Sequence, residues 1–264
     1  VATWEVFIAD DQSKRAIKVL HKVAKILGVE PVSAAQCKAD MLVLWGWGGR
    51  QQQEAIKRQF QAGGHVVSLD FGYFDRDRDS VRISIDGFHP QHLLQYADGE
   101  DRQAHLRREH LYNESGHILV AGIGHKSREL LGFKNTEWER LVIGQARHVF
   151  PEAEIFYRPK TNGNERISNT VNAVSGNIRS ALVGCRLAIV CHSNVAVDCA
   201  VYGVPCVCVD GAGAFLWGEE ISEGACGLDA DRLADFIRRV SWFNWLPDEY
   251  REMITFIEYL RSKL

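Results

Sequence analysis

The chain has seven cysteines but no CxxC pair, so it lacks the commonest spacing for a structural zinc. No apolar run approaches the ~20 residues that a bilayer-spanning helix needs, so no membrane role is expected. The opening residues VATWEVFIAD have no basic stretch followed by an apolar one, the pattern of a secretory signal. Excess charge is missing too. Basic residues number 31 and acidic residues 34, a formal charge of −3, which gives no global attraction to nucleic acid or to an anionic membrane. That balance still permits a local basic face. Internal repeats and low-complexity tracts are absent. An odd number of cysteines, several inside strand-like runs, points to reduced core thiols and a cytoplasmic setting.

What is present belongs to an ordinary globular protein. The 264 residues are 46% hydrophobic and 25% charged, enough to build two compact domains. WEVFIA (4–9), MLVLWGWGG (41–49) and HVVSLDFGYF (65–74) read as strands, separated by helix-length segments at 10–28 and 50–64. That alternation predicts βαβ units and a parallel sheet, with VRISIDG (81–87) as an added edge strand. Residues 97–116 are polar and lack an apolar period, so they read as a linker. The alternation then restarts. Strands are expected at 117–124, 154–160, 185–191 and 205–211, and helices at 136–151, 175–184 and 193–203. Two helices end the chain, the second starting near Pro247 with Asp248 and Glu249 in its first turn. The expected division is an α/β domain over 1–115, a second over 116–246, and a terminal helix over 247–264 that returns to the first.

The segment HSNVAVDCAVYGVPCVCVDG (192–211) carries the clearest functional signal. His192, Ser193 and Asn194 leave an apolar strand just before a short helix, and ligands of open α/β sheets sit beyond such carboxyl ends. The start of a helix also offers unpaired N–H groups, suited to phosphate. An N-cap alone accounts for Ser193 or Asn194, but not for three polar residues followed by Asp198 one turn on.

SNVAVDCAVYGVPCV resembles the nucleotide-sugar motif of GT-B glycosyltransferases, in which a Ser-rich strand exit precedes a helix with an acidic residue and then Gly-x-Pro. YRPK (157–160) resembles the basic strand end that meets the donor diphosphate, with Lys160 where many members have His. HILVAGIGHKS (117–127) resembles the first strand and glycine loop of the same domain. The resemblance implies a GT-B-like fold: two Rossmann-like α/β domains with a cleft between them and a terminal helix crossing back. It implies a donor site from Gly122, Gly124, Lys126, Arg158, Lys160, His192, Ser193, Asn194, Val195 and Asp198. The implied donor is a UDP-sugar, UDP-glucose first, with no metal or other cofactor required. VLWGWGG, LDFGYFDR, VRISIDGFHP and the SNVAVD motif, in that order, also resemble small bacteriophage glycosyltransferases. Some of that group modify hydroxymethylated pyrimidines in DNA. The resemblance makes such DNA the favoured acceptor, in the host cytoplasm. A surface-polysaccharide glycosyltransferase and a non-catalytic nucleotide-binding module are the alternatives.

Sugar transfer to a hydroxyl needs a base near the acceptor, and position comes before pKa. Asp70, at a strand end before Phe71-Gly72-Tyr73, is the first candidate, with Asp10 and Asp11 next. Asp10 also reads as an N-cap. For the acceptor, Trp45 and Trp47 flank Gly46 and could stack on a ring, with Tyr73 and Arg76 close by in sequence. Lys14, Lys18 and Lys22 recur every four residues and form one stripe. This is either a solvated helix face or, through Lys18 and Lys22, a contact for phosphate.

Overall fold

The computed structural model describes residues 2–106, 109–160, 166–172 and 176–264, and of these the side chains of Lys126 and Leu130 are not described. The chain divides into two compact units. Unit 1 comprises Val1–Asp98 and Ser241–Leu264, and unit 2 comprises Gly99–Val240.

Unit 1 begins with β1 (Trp4–Val6), α1 (Lys14–Leu27), β2 (Met41–Trp45), α2 (Arg50–Gln61), β3 (His65–Phe71) and β4 (Val81–Ile85). Helix α1 starts where the Ser13 side chain accepts the Ala16 N–H, and stops at Gly28, whose φ of 70° admits the left-handed turn that closes helices. Asp10 is therefore not its cap. Strand β2, MLVLW, is buried along its whole length, as a strand covered on both faces should be. The first three strands are parallel, and β4 runs antiparallel to β3.

The expected edge position of β4 is corrected by the structure. Strand order is β1-β2-β3-β4 followed by Asn244–Trp245, the short strand labelled β10 below, which pairs antiparallel with β4. Two residues of WFNW are too few to show a period, so this strand leaves no signature in the sequence.

Unit 2 contains β5 (Tyr112–Ala121), α3 (His125–Leu131), α4 (Glu137–Val149), β6 (Ile155–Arg158), β7 (Val171–Asn172), α5 (Ile178–Leu182), β8 (Cys185–Val190), α6 (Val195–Val201), β9 (Cys206–Cys208) and the start of α7 (Ala230–Ser241). Its sheet is wholly parallel in the order β7-β6-β5-β8-β9. Ile118, Leu119 and Val120 of the central strand are fully buried, because helices cover both faces. Strand β5 begins at Tyr112, so the last five residues of the expected linker belong to it. The chain then returns to unit 1 as β10 (Asn244–Trp245) and α8 (Tyr250–Arg261). Helix α8 buries Tyr250, Met253, Phe256, Ile257 and Leu260, and Lys22 of α1 lies 5.4 Å from the Tyr250 ring centroid.

The seven cysteines are free thiols. Burial, with the Asp210 and Glu139 carboxylates adding to it, pushes Cys191 up to about 12. Burial also raises Cys185, Cys206 and Cys208. These are packing residues and stay protonated at neutral pH.

Candidate functional site

Because every strand of the unit 2 sheet is parallel, the carboxyl ends of β5, β6, β8 and β9 open on one edge. The residues expected to bind a donor lie on the loops that leave this edge. Gly122 donates its N–H to the Arg158 carbonyl at 2.8 Å. A side chain at Gly122 would start 3.0 Å from the Tyr157 hydroxyl and 3.3 Å from the Arg158 carbonyl oxygen, so only glycine fits without a shift. The Lys160 stem runs beside Gly124, where an added Cβ would meet its Cδ at 3.5 Å. Arg158 donates from Nη2 to the Gly176 carbonyl at 2.6 Å. Across the edge, His192 is buried and its Nε2 lies 2.8 Å from the Ser127 hydroxyl, which joins the β8 exit to the first turn of α3. The Ser193 hydroxyl accepts the Val195 N–H at 3.3 Å, and Asn194 precedes α6, with Asp198 half-buried in its first turn. The Lys126 side chain lies outside the described residues.

Beneath the glycine loop sits a buried pair that sequence reasoning missed. Glu139, fully buried at the start of α4, accepts the Ile123 N–H at 3.0 Å and Arg128 Nη2 at 2.7 Å through one oxygen. A buried carboxylate needs such partners, and here they fix both the loop and the helix after it. An acid early in a helix normally reads as a solvated, dipole-favoured residue, so nothing in TEWERL signals this role.

In unit 1 the structure separates the three candidate bases. Asp70 pairs through Oδ2 with Arg82 Nη2 at 2.9 Å, and Oδ1 accepts the Phe71 N–H at 2.8 Å. The two residues face each other across β3 and β4, and Arg82 is buried under the Tyr73 and Phe88 rings. Both oxygens of Asp70 are therefore engaged. Asp10 is exposed at the turn after β1, and Gln51 of α2 clamps it twice. Its backbone N–H donates to Gln51 Oε1 at 2.9 Å, and Gln51 Nε2 donates to its Oδ2 at 2.8 Å. That fixes the carboxylate and leaves Oδ1 to solvent. Asp11 is the exposed next residue.

The residues expected to meet the acceptor lie in unit 1. Trp45 and Tyr73 are only 7% and 2% exposed, because each faces the interior of unit 1. Trp45 packs edge-on against Phe71, which is exposed, at 5.5 Å. Trp47 is half-buried against the core beneath α2, 6.4 Å from Phe60. Arg76 donates from Nε to the Gly72 carbonyl at 3.0 Å. The lysine stripe lies on the solvent face of α1, opposite Ala16, Val19, Leu20 and Val23. Lys18 Nζ lies 3.9 Å from Asp79. Among the described residues, no group of three or more His, Cys, Asp or Glu is placed to hold a metal.

No protein-family model matches the chain, and no curated protein sequence matches it. Solved structures do. The beta Kdo 2,7 transferase of Thermosulfurimonas dismutans KpsC aligns over 97% of this chain and 99% of its own, with a TM-score of 0.57 at 14% identity. The beta Kdo 2,4 transferase of the same protein aligns over 92% of each chain, with a TM-score of 0.52 at 11% identity. The chain has a GT-B-like fold. At these identities the likeness is one of fold. The spinosyn rhamnosyltransferase SpnG, complexed with thymidine diphosphate, aligns over 89% of this chain with a TM-score of only 0.34, too low to carry an argument. Within this GT-B-like chain, unit 2 holds the segments that resemble a nucleotide-sugar site, and unit 1 holds the candidate carboxylates. Among the described residues, no helix is long and apolar enough to cross a membrane.

Proposed function

We propose that the protein is a glycosyltransferase that moves a sugar from a nucleotide sugar to a hydroxyl of a saccharide acceptor. The observation that carries this reading is the meeting of four loops at one parallel-sheet edge. One is glycine-rich, one bears Arg158 and Lys160, one bears His192, Ser193 and Asn194, and one returns at Asp210. Backbone N–H groups and two cations suit the negative charge that builds on a departing phosphate. Asp198 is offered to ribose hydroxyls. The donor is a UDP-sugar in this reading, and Asp10 takes the acceptor proton. The likeness of fold to Kdo transferases over nearly the whole chain supports a saccharide acceptor.

The donor site is tested by titrating the protein with UDP and with uridine. Arg158→Ala should weaken UDP by about tenfold or more, the worth of a charge-assisted contact, and leave uridine nearly unaffected. Equal losses for both would remove Arg158 from phosphate binding. Nucleotide binding without transfer to any acceptor would make the chain a binding module.

One observation favours a second acceptor. The exposed lysine stripe on α1 suits a DNA backbone, and with it 5-hydroxymethylpyrimidine in phage DNA as the substrate. DNA affinity should then fall with salt at a log–log slope of about −0.9 per phosphate contact, and Lys18→Gln with Lys22→Gln should flatten that slope by about two. No DNA binding at low salt would dismiss this acceptor and leave the donor site intact.

A further inference from the structure

A groove of about 390 Å³ in unit 1 is lined by Trp242, Trp245, Phe256 and Tyr259, with Asp98, Glu252 and Thr255 as its polar members. Glu252, Thr255, Phe256 and Tyr259 are spaced i, i+3, i+4, i+7 on α8, so they form one stripe along the helix. Phe256 is the hub. Its ring centroid lies 5.5 Å from Trp242, 5.8 Å from Trp245 and 6.1 Å from Tyr259. Interplanar angles of 39°, 43° and 24° make these rings a tilted strip. Packing explains Trp245 and Phe256, which are buried. Tyr259, whose hydroxyl donates to the Tyr96 carbonyl at 3.3 Å, is still 42% exposed, and with the half-buried Trp242 it extends the strip into solvent.

We infer that this groove binds a neutral saccharide ring of the acceptor, outside the site where transfer occurs. The inference rests on the saccharide-acceptor reading above and adds a second contact to it. Three observations favour a neutral sugar over other ligands. The groove lining contains two carboxylates and neither Lys nor Arg, which disfavours phosphate, nucleic acid and acidic sugars. Lys263, 5.3 Å from the Tyr259 centroid, does not line the groove. A cage for an organic cation holds its rings apart, each within ~6 Å of a central charge, whereas here each ring packs directly on Phe256. A pyranose combines what the strip can use. Its C–H face meets the negative face of an aromatic ring, and its paired hydroxyls donate to a carboxylate such as Glu252 in charge-assisted bonds. The volume lies within the range of small-molecule sites.

The test is saturation-transfer NMR on the full chain with maltotriose, chitotriose and cellotriose as probes, and with tetramethylammonium and a thymidine oligonucleotide as contrasts. At least one trisaccharide should receive magnetisation, and neither contrast should compete with it. Tyr259→Ala and Trp242→Ala should each weaken that saccharide by about tenfold, and Tyr259→Phe should retain it. Glu252→Gln should weaken it without abolishing it. UDP affinity should be unchanged in all four variants, because the nucleotide is assigned to unit 2, and an unchanged urea midpoint and near-UV circular dichroism should report that unit 1 is folded in each variant. Saturation of none of the trisaccharides, or competition by tetramethylammonium, would overturn the groove assignment. UDP binding and sugar transfer that persist in that case would leave the proposed function standing. Their absence in the parent chain would instead overturn the function itself.

Discussion

Asp10→Asn is expected to lower turnover by about 10²-fold or more, the range for loss of a general base, and to leave UDP affinity nearly unchanged. An asparagine keeps the size of the side chain and can still meet Gln51, so the turn after β1 should hold its shape. What it loses is an oxygen able to take a proton. A fall in kcat with a steady KM is the signature of a group that acts only in the transition state. Asp70→Asn should behave differently. It breaks the pair with buried Arg82, so its main effect should be on stability, read as a lower urea midpoint. Near-normal turnover in Asp10→Asn together with collapse in Asp70→Asn, at equal stability, would return the base to Asp70. If neither variant loses turnover, Asp11 is the next residue to test.

Glu139→Ala is expected to destabilise the protein by about 3–5 kcal/mol, the cost of removing one partner from a buried ion pair. Arg128 would be left with an uncompensated charge at a side chain only 12% exposed, and the Ile123 N–H would lose its acceptor. Whole proteins of this kind are stable by about 5–15 kcal/mol, so the loss should shift the urea midpoint far enough to measure easily. Glu139→Gln should cost less, because an amide oxygen can still accept from Ile123. Both variants should bind UDP more weakly, since the loop they release runs from Gly122 to the start of α3. A change under about 1 kcal/mol in Glu139→Ala would show that the pair does not hold the loop.

Much of the fold was legible in the sequence because it depends on local chemistry. Alternating apolar runs and helix-length segments marked the parallel strands, glycines marked the turns, and Pro247 with two acids marked the start of the last helix. The polar exit at His192, Ser193 and Asn194 stood out for the same reason, since polar residues directly after LAIVC have to lie at a strand end. The resemblance to a nucleotide-sugar motif rested on those same residues.

The sequence by itself determined the alternation of strands and helices, the positions of the glycine loops, and which strand ends carry polar residues. These follow from periodicity and backbone preference within a few neighbouring positions. Only the tertiary structure decided which charges are buried and which aromatic rings are exposed. Asp10 and Asp70 both follow apolar strands, but one is clamped by Gln51 from 41 positions away and the other meets Arg82 across an antiparallel pair. Trp45 and Trp242 are the same residue type, and packing buries one and sets the other in a groove with α8. Burial and partnership join residues far apart in the chain, and no local pattern records them.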